Sequence, residues 1–203
     1  MTSSRRTARS ETRAPRSREY DPPVPRYVAF LRAINIGGRR ASSAQLAACL
    51  EAHEFTNATN FRASGNLIFD ADRASESTLT KRVDDALTTG LGFEVRSFLR
   101  TAAQVRAIAA FEPFPPKIRA KSQGKLQVAL LAKPLPKRER DGVLALATDS
   151  DPLSVSGREL YWLPSGPTMQ TDLDLRLLDK LVGENTRRTK NMISEIAAKF
   201  LDR

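Results

Sequence analysis

Arg32-Ala33-Ile34-Asn35-Ile36-Gly37-Gly38-Arg39 is the stretch of this 203-residue chain whose residue types point most directly to chemistry. Its two glycines allow backbone N–H groups to converge. An apolar run before it reads as a strand, and after it Ser42 with Gln45 has capping-box spacing for a helix. A strand-to-helix loop of this kind turns amides and a helix's positive end toward an anion. Arg32, Arg39 and Arg40 add full charges beside it. The glycine spacing matches neither the Walker A nor the dinucleotide-binding pattern, so an anion pocket is expected without a nucleotide being named. A turn that needs glycine dihedrals and nothing more explains the same residues.

Ser64-Gly65-Asn66 is the second such segment. Between two strand-like runs, Gly-Asn reads as a hairpin turn, because both residues tolerate positive φ. Ser64 has no base near it in sequence, and the chain has one histidine, His53, to activate a nucleophile. With a single cysteine, Cys49, a disulfide framework and a cysteine zinc site are excluded. Asp84 and Asp85 are adjacent on a predicted helix and diverge, so they form no acid–base pair. Catalytic residues, a metal site and a cofactor are therefore not expected, and binding is favoured over catalysis.

Charge is unevenly placed. The chain has 33 basic and 23 acidic side chains. Residues 1–26 hold seven arginines against three acids, and residues 117–140 hold eight basic residues against Glu139 alone. These two segments account for the whole excess, and Lys117, Arg119, Lys121 and Lys125 become candidate polyanion contacts. A solvated loop and helix surface explains the same cluster more simply. Residues 1–24 lack the apolar side chains needed to order and are read as a disordered basic tail. No apolar run approaches membrane-spanning length.

The elements that must position these groups follow from periodicity. A strand over 27–33, a helix over 43–53, strands over 58–63 and 66–71, a helix over 76–89 stopped by Gly90, and a strand over 93–99 give βαββαβ, the ferredoxin-like order. Thr101 and Gln104 open another capped helix. A strand through Leu126, Val128 and Leu130, a helix over 136–147, a hairpin around Gly157-Arg158 and two amphipathic helices then echo the first half. In that echo a helix stands where the final strand would be. The expected fold is α+β, with ferredoxin-like halves over 25–100 and 101–203, the second incomplete and ending in helices. The same βαββαβ order occurs in RNA-binding RRM domains, but their RNP1 pattern is missing.

Arg32-Ala33-Ile34-Asn35-Ile36-Gly37-Gly38, Glu54-Phe55-Thr56-Asn57 and Ala63-Ser64-Gly65-Asn66-Leu67-Ile68-Phe69 together resemble the bacterial domain-of-unknown-function family DUF1697. Its members carry R-G-I-N-V-G-G, Q-S-G-N-V-V-F and a C-terminal T-x-R-N-W-x-T-V stretch. The resemblance spans roughly residues 26–201. It implies two ferredoxin-like halves and no established activity. Ala33 stands where the family usually has Gly, Arg40 where it often has Asn, and Ala63 where it usually has Gln. In Thr186-Arg187-Arg188-Thr189-Lys190-Asn191-Met192, Arg188 aligns best with the family arginine, while Thr189 and Lys190 replace Asn and Trp.

The ligand-binding set is then Arg32, Asn35, Gly37, Gly38, Arg39, Ser64, Gly65, Asn66, Arg188 and Asn191, in a cytoplasmic protein that binds nucleic acid or a phosphorylated small molecule. The alternatives are an enzyme acting on a small phosphorylated or carboxylated substrate between the halves, and a protein-interaction module. The sequence assigns no membrane association and no oligomeric state. Deleting residues 1–24 should shift the melting temperature by no more than about one or two degrees, because they carry no apolar stripe to dock. A larger drop in a thermal melt would show that they pack on the domain.

Overall fold

The computed structural model of the chain describes residues 24–35 and 37–202. Apart from Val24, the expected N-terminal tail lies outside them. Among the described residues, eight strands form two four-stranded antiparallel sheets. The first sheet contains β1 (Arg26–Arg32), β2 (Thr56–Asn60), β3 (Asn66–Asp70) and β4 (Arg96–Thr101), in the order β2-β3-β1-β4. The second contains β5 (Gln127–Leu131), β6 (Leu153–Ser156), β7 (Glu159–Trp162) and β8 (Asn185–Thr189), in the order β6-β7-β5-β8. The architecture is α+β, with seven α-helices among the described residues.

β1, β3 and β5 are buried on both faces, which explains their near-continuous apolar sequences. In β1, Tyr27, Ala29 and Leu31 face α1 (Ser43–Glu51) and α2 (Glu76–Leu91). Val28 and Phe30 point the opposite way, as period-two alternation requires. There they meet Val128, Leu130 and Tyr161 of the second sheet in one shared core. That core also takes Val105 and Ile108 from α3 (Ala102–Ala110), and Ile193 and Ile196 from α7 (Lys190–Ile196). The far face of the second sheet, with Ala129, Leu131, Leu160 and Trp162, packs on α5 (Lys137–Ala145) and α6 (Leu175–Val182).

Local signals account for most helix boundaries. Both expected capping boxes form, Ser42 with Gln45 and Thr101 with Gln104. The stripe Leu79, Val83, Ala86 and Leu87 is fully buried in α2. That helix runs past Gly90 and ends at Gly92, which takes the left-handed cap conformation (φ 74°). Gly90 has another role: a Cβ there would drive into the Cys49 side chain, so glycine lets α1 and α2 approach closely. His53 is exposed at the end of α1, where Nδ1 donates to the Cys49 carbonyl at 2.9 Å.

Two sequence expectations need correcting. The hairpin before β3 does not place Asn66 at positive φ; Arg62 (φ 66°) and Gly65 (φ 73°) take those conformations, and Asn66 begins a buried strand. The second half is not incomplete either. β8 pairs with β5 through Gln127↔Thr189 to Leu131↔Asn185, where a helix was expected. Its sequence is Asn-Thr-Arg-Arg-Thr, and its inward side chains are Thr186 and Arg188. A strand whose buried face is polar leaves no hydrophobic alternation to read.

The Gly90 contact gives a testable consequence. In an open helix Gly→Ala stabilises by about 1 kcal/mol. Gly90→Ala should instead destabilise by roughly 1–3 kcal/mol through overpacking against Cys49. Adding Cys49→Ala should recover most of that loss in a double-mutant cycle by urea unfolding. Additive effects would show that the two positions do not meet.

Candidate functional site

The expected site residues divide into a buried network and an exposed cavity. In the network, Arg188 on β8 crosses to the first sheet. Its Nε donates to Asn66 Oδ1 at 2.6 Å, and one terminal nitrogen donates to the carbonyls of Leu31 (2.8 Å), Ser64 (2.7 Å) and Gly65 (2.9 Å). The other donates to the Arg187 carbonyl (2.8 Å) and Thr186 Oγ1 (2.9 Å). All its donor nitrogens are engaged, yet none of these partners is a carboxylate. Burial lowers the guanidinium to about 10, which leaves it charged at neutral pH.

Asn66 is fully buried and serves both sides of the joint. Its amide nitrogen donates to the Phe61 carbonyl (2.6 Å) and Ser64 Oγ (3.1 Å), and its backbone N–H donates to Asn60 Oδ1 (2.9 Å). Gly65 is required twice over. It has positive φ, and a Cβ would stand 2.9 Å from Leu31 Cβ and 2.7 Å from Ile34 Cγ2. Ser64, Gly65, Asn66 and Arg188 therefore meet, but they are spent on one another. Asn191 is exposed in the first turn of α7 and does not join them.

A matching joint occurs in the other direction, and sequence reasoning missed it. Arg100 on β4 sits opposite Val28 in its ladder, as Arg188 sits opposite Val128. Its Nε donates to Glu159 at 2.8 Å, and its terminal nitrogens donate to the carbonyls of Leu99 (2.8 Å), Leu131 (3.0 Å) and Arg158 (3.4 Å). Glu159 lies opposite Leu130 in its ladder, as Asn66 lies opposite Phe30. Leu31 N donates to Gly65 O, and Leu131 N to Arg158 O, both at 2.9 Å. Each half thus inserts an arginine from its last strand into the hairpin of the other. The spacing from Arg100 to Thr101 and from Arg188 to Thr189, each threonine a helix N-cap, is the signal that could have revealed it.

The exposed cavity lies at the end of β1. Arg32, Arg39 and Arg96 line a space of about 300 Å³ with Ala33, Glu94 and Glu184. Its arginines come from three segments: the end of β1, the glycine loop and the start of β4. Arg96 contacts Glu94 at 3.0 Å, and Arg32 reaches Glu184 at 3.9 Å. Arg39 stacks over Phe93, 5.4 Å from its centroid. The loop turns through left-handed conformations at Ala33 (φ 52°), Asn35 (61°), Gly37 (62°) and Gly38 (85°). Asn35 fastens it, donating to the Ala63 carbonyl (2.9 Å) and accepting from Ala41 N–H (2.7 Å). A Cβ at Gly37 or Gly38 would meet nothing, so those glycines serve backbone conformation rather than close packing.

The basic segment forms α4 (Pro116–Arg119) and the turn after it. Lys117, Lys121 and Lys125 are exposed. Arg119 pairs with Glu112 at 2.5 Å, and the same carboxylate takes buried Lys190 at 2.5 Å, which ties this segment to α7. Among the described residues no group of three or more His, Cys, Asp and Glu could hold a metal ion.

The family described as Protein of unknown function (DUF1697) matches residues 24–161, about two thirds of the chain, and the chain belongs to it. The match covers the glycine loop, the Ser64-Gly65-Asn66 turn, Arg100 and Glu159; β8 and Arg188 lie beyond it. No curated protein matches the sequence. The solved structure of a conserved bacterial protein, SP0830 from Streptococcus pneumoniae, is similar, with TM-score 0.68 and 16% identity. The similarity covers 87% of this chain and 98% of that one, and establishes a shared fold.

Two outcomes follow from this geometry. Arg188→Ala and Asn66→Ala should each cost about 3 kcal/mol or more, because each strands buried polar partners. Arg188→Met should cost less than Arg188→Ala, since it removes the desolvated charge and keeps apolar volume. Equal losses in urea unfolding would contradict that ordering. Ala33→Gly should stabilise by about 1 kcal/mol, because Ala33 holds a left-handed conformation that glycine adopts without a Cβ clash. An unchanged midpoint would show that Ala33 carries no strain.

Proposed function

We propose that this DUF1697 member binds a small phosphorylated or carboxylated anion in the cavity of Arg32, Arg39 and Arg96. The observation that carries the reading is that three arginines from three segments line one exposed space of about 300 Å³. Arginine forks match carboxylate and phosphate oxygens in pairs. In the free protein Arg96 contacts Glu94 and approaches Asp84 at 4.0 Å, and Arg32 approaches Glu184; an incoming anion competes with these carboxylates.

Binding without catalysis is preferred because the cavity brings no nucleophile and base together. On the fold, the strand orders and the paired arginines support two ferredoxin-like halves, each followed by a helix, α3 or α7. A cytoplasmic location is part of the proposal, supported by a lone buried thiol with no disulfide partner. Among the described residues no helix is long and apolar enough to cross a membrane.

Calorimetric titration at low salt with pyrophosphate, a mononucleotide and an unrelated DNA duplex tests the reading. Pyrophosphate or the mononucleotide should bind, and Arg96→Ala and Arg32→Ala should each weaken binding roughly tenfold or more. Joint neutralisation of Lys117, Lys121 and Lys125 should leave it unchanged. Duplex binding that depends on those lysines, with none at the arginine cavity, would replace this proposal with the polyanion reading.

A further inference from the structure

The correspondence between the two halves exposes a second cavity. Pairing Thr101 with Thr189 pairs Gln104 with Met192, each three residues beyond an N-cap threonine. Met192 fills the space beside its arginine joint; its sulfur lies 3.4 Å from the Asn66 amide nitrogen and 3.7 Å from Ser64 Oγ. Gln104 turns back instead, its Oε1 accepting from Thr101 N–H at 2.9 Å. The hairpin beyond it is also shortened to Gly157-Arg158 between β6 and β7. A cavity of about 300 Å³ is left open in this half, lined by Arg100, Gln104, Ile108, Phe111, Ser156 and Tyr161 among others.

Its polar groups define what would enter. Tyr161 is 2% exposed, and among the described residues its hydroxyl has no hydrogen-bond partner, although it is not sealed from solvent. With no protein partner, that hydroxyl is free to donate to whatever enters the cavity it lines. Burial, with Glu159 close by, pushes the phenol up from its ordinary value, so the group remains a donor at physiological pH. The charges here are already matched, Arg100 with Glu159 and Arg158 with Glu76, and none calls for a counter-ion. Ile108 and Phe111 form an apolar wall; the Phe111 and Tyr161 rings meet at 5.0 Å and 48°. We infer that this cavity binds a small uncharged planar ring carrying a carbonyl, with the carbonyl on the Tyr161 hydroxyl and the ring against Ile108 and Phe111.

The test uses the full chain, isotopically labelled for NMR, titrated with nicotinamide and uracil as ring amides and with benzoate and benzylamine as charged controls. A ring amide should saturate in the millimolar range, move the Tyr161 and Phe111 resonances, and bind more tightly than either control. Tyr161→Phe should weaken it about five- to tenfold, while the melting temperature stays unchanged because no protein partner is lost. Ala107 is an exposed residue of the cavity lining, and Ala107→Phe, which adds a ring there, should abolish binding. If that variant fails to fold, Tyr161→Phe alone decides. Absence of shifts at Tyr161 and Phe111 with both ring amides, unchanged affinity in Tyr161→Phe, or equal binding of the charged controls would overturn the assignment.

Discussion

A guanidinium buried without a carboxylate partner is the constraint on which the rest of the structure depends. Arg188 can remain charged in the interior only because six acceptors, the carbonyls of Leu31, Ser64, Gly65 and Arg187 with Thr186 Oγ1 and Asn66 Oδ1, surround it. Those acceptors come from both sheets, so its desolvation is offset only when the two sheets are docked. Arg100 imposes the same condition in reverse, with Glu159 supplying a real counter-charge. The shared apolar core provides the driving force for docking, and the two arginines fix its register.

This constraint changes the meaning of the motif residues. The Ser64-Gly65-Asn66 turn resembles a site because it presents carbonyls, an amide and a hydroxyl in a fixed array. That array is already occupied by an arginine of the same chain. The two positions proposed for ligands lie outside it, at the end of β1 and beside Tyr161. Both places are cavities lined by polar side chains from different segments.

Much of this was legible in the sequence. Capping boxes at Ser42 and Thr101, the α2 stripe and the Gly157 hairpin are local signals, and they specify their elements without help from tertiary structure. Arg32 and Arg39 do meet in one cavity, and Arg188 does reach Asn66. Arg96, Glu94 and Glu184 were not legible, because strand pairing and the fold bring them there and no spacing records it. β8 escaped detection because its inward face carries Thr186 and Arg188, whose burial is satisfied by carbonyls of another sheet. Gly90 misled for a related reason: it reads as a helix stop, but its purpose is the approach of Cys49 from a different helix.

Reciprocal anchoring should make the two halves unfold as a single cooperative unit, and the chain carries one natural probe in each. Cys49, its only cysteine, is buried under the first sheet, and Trp162, its only tryptophan, is buried under the second. Urea unfolding followed in parallel by Cys49 thiol labelling and Trp162 fluorescence tests the coupling directly. Interlocked halves predict coincident midpoints and slopes for the two probes. Exposure of one probe at a urea concentration where the other remains fully protected would contradict it.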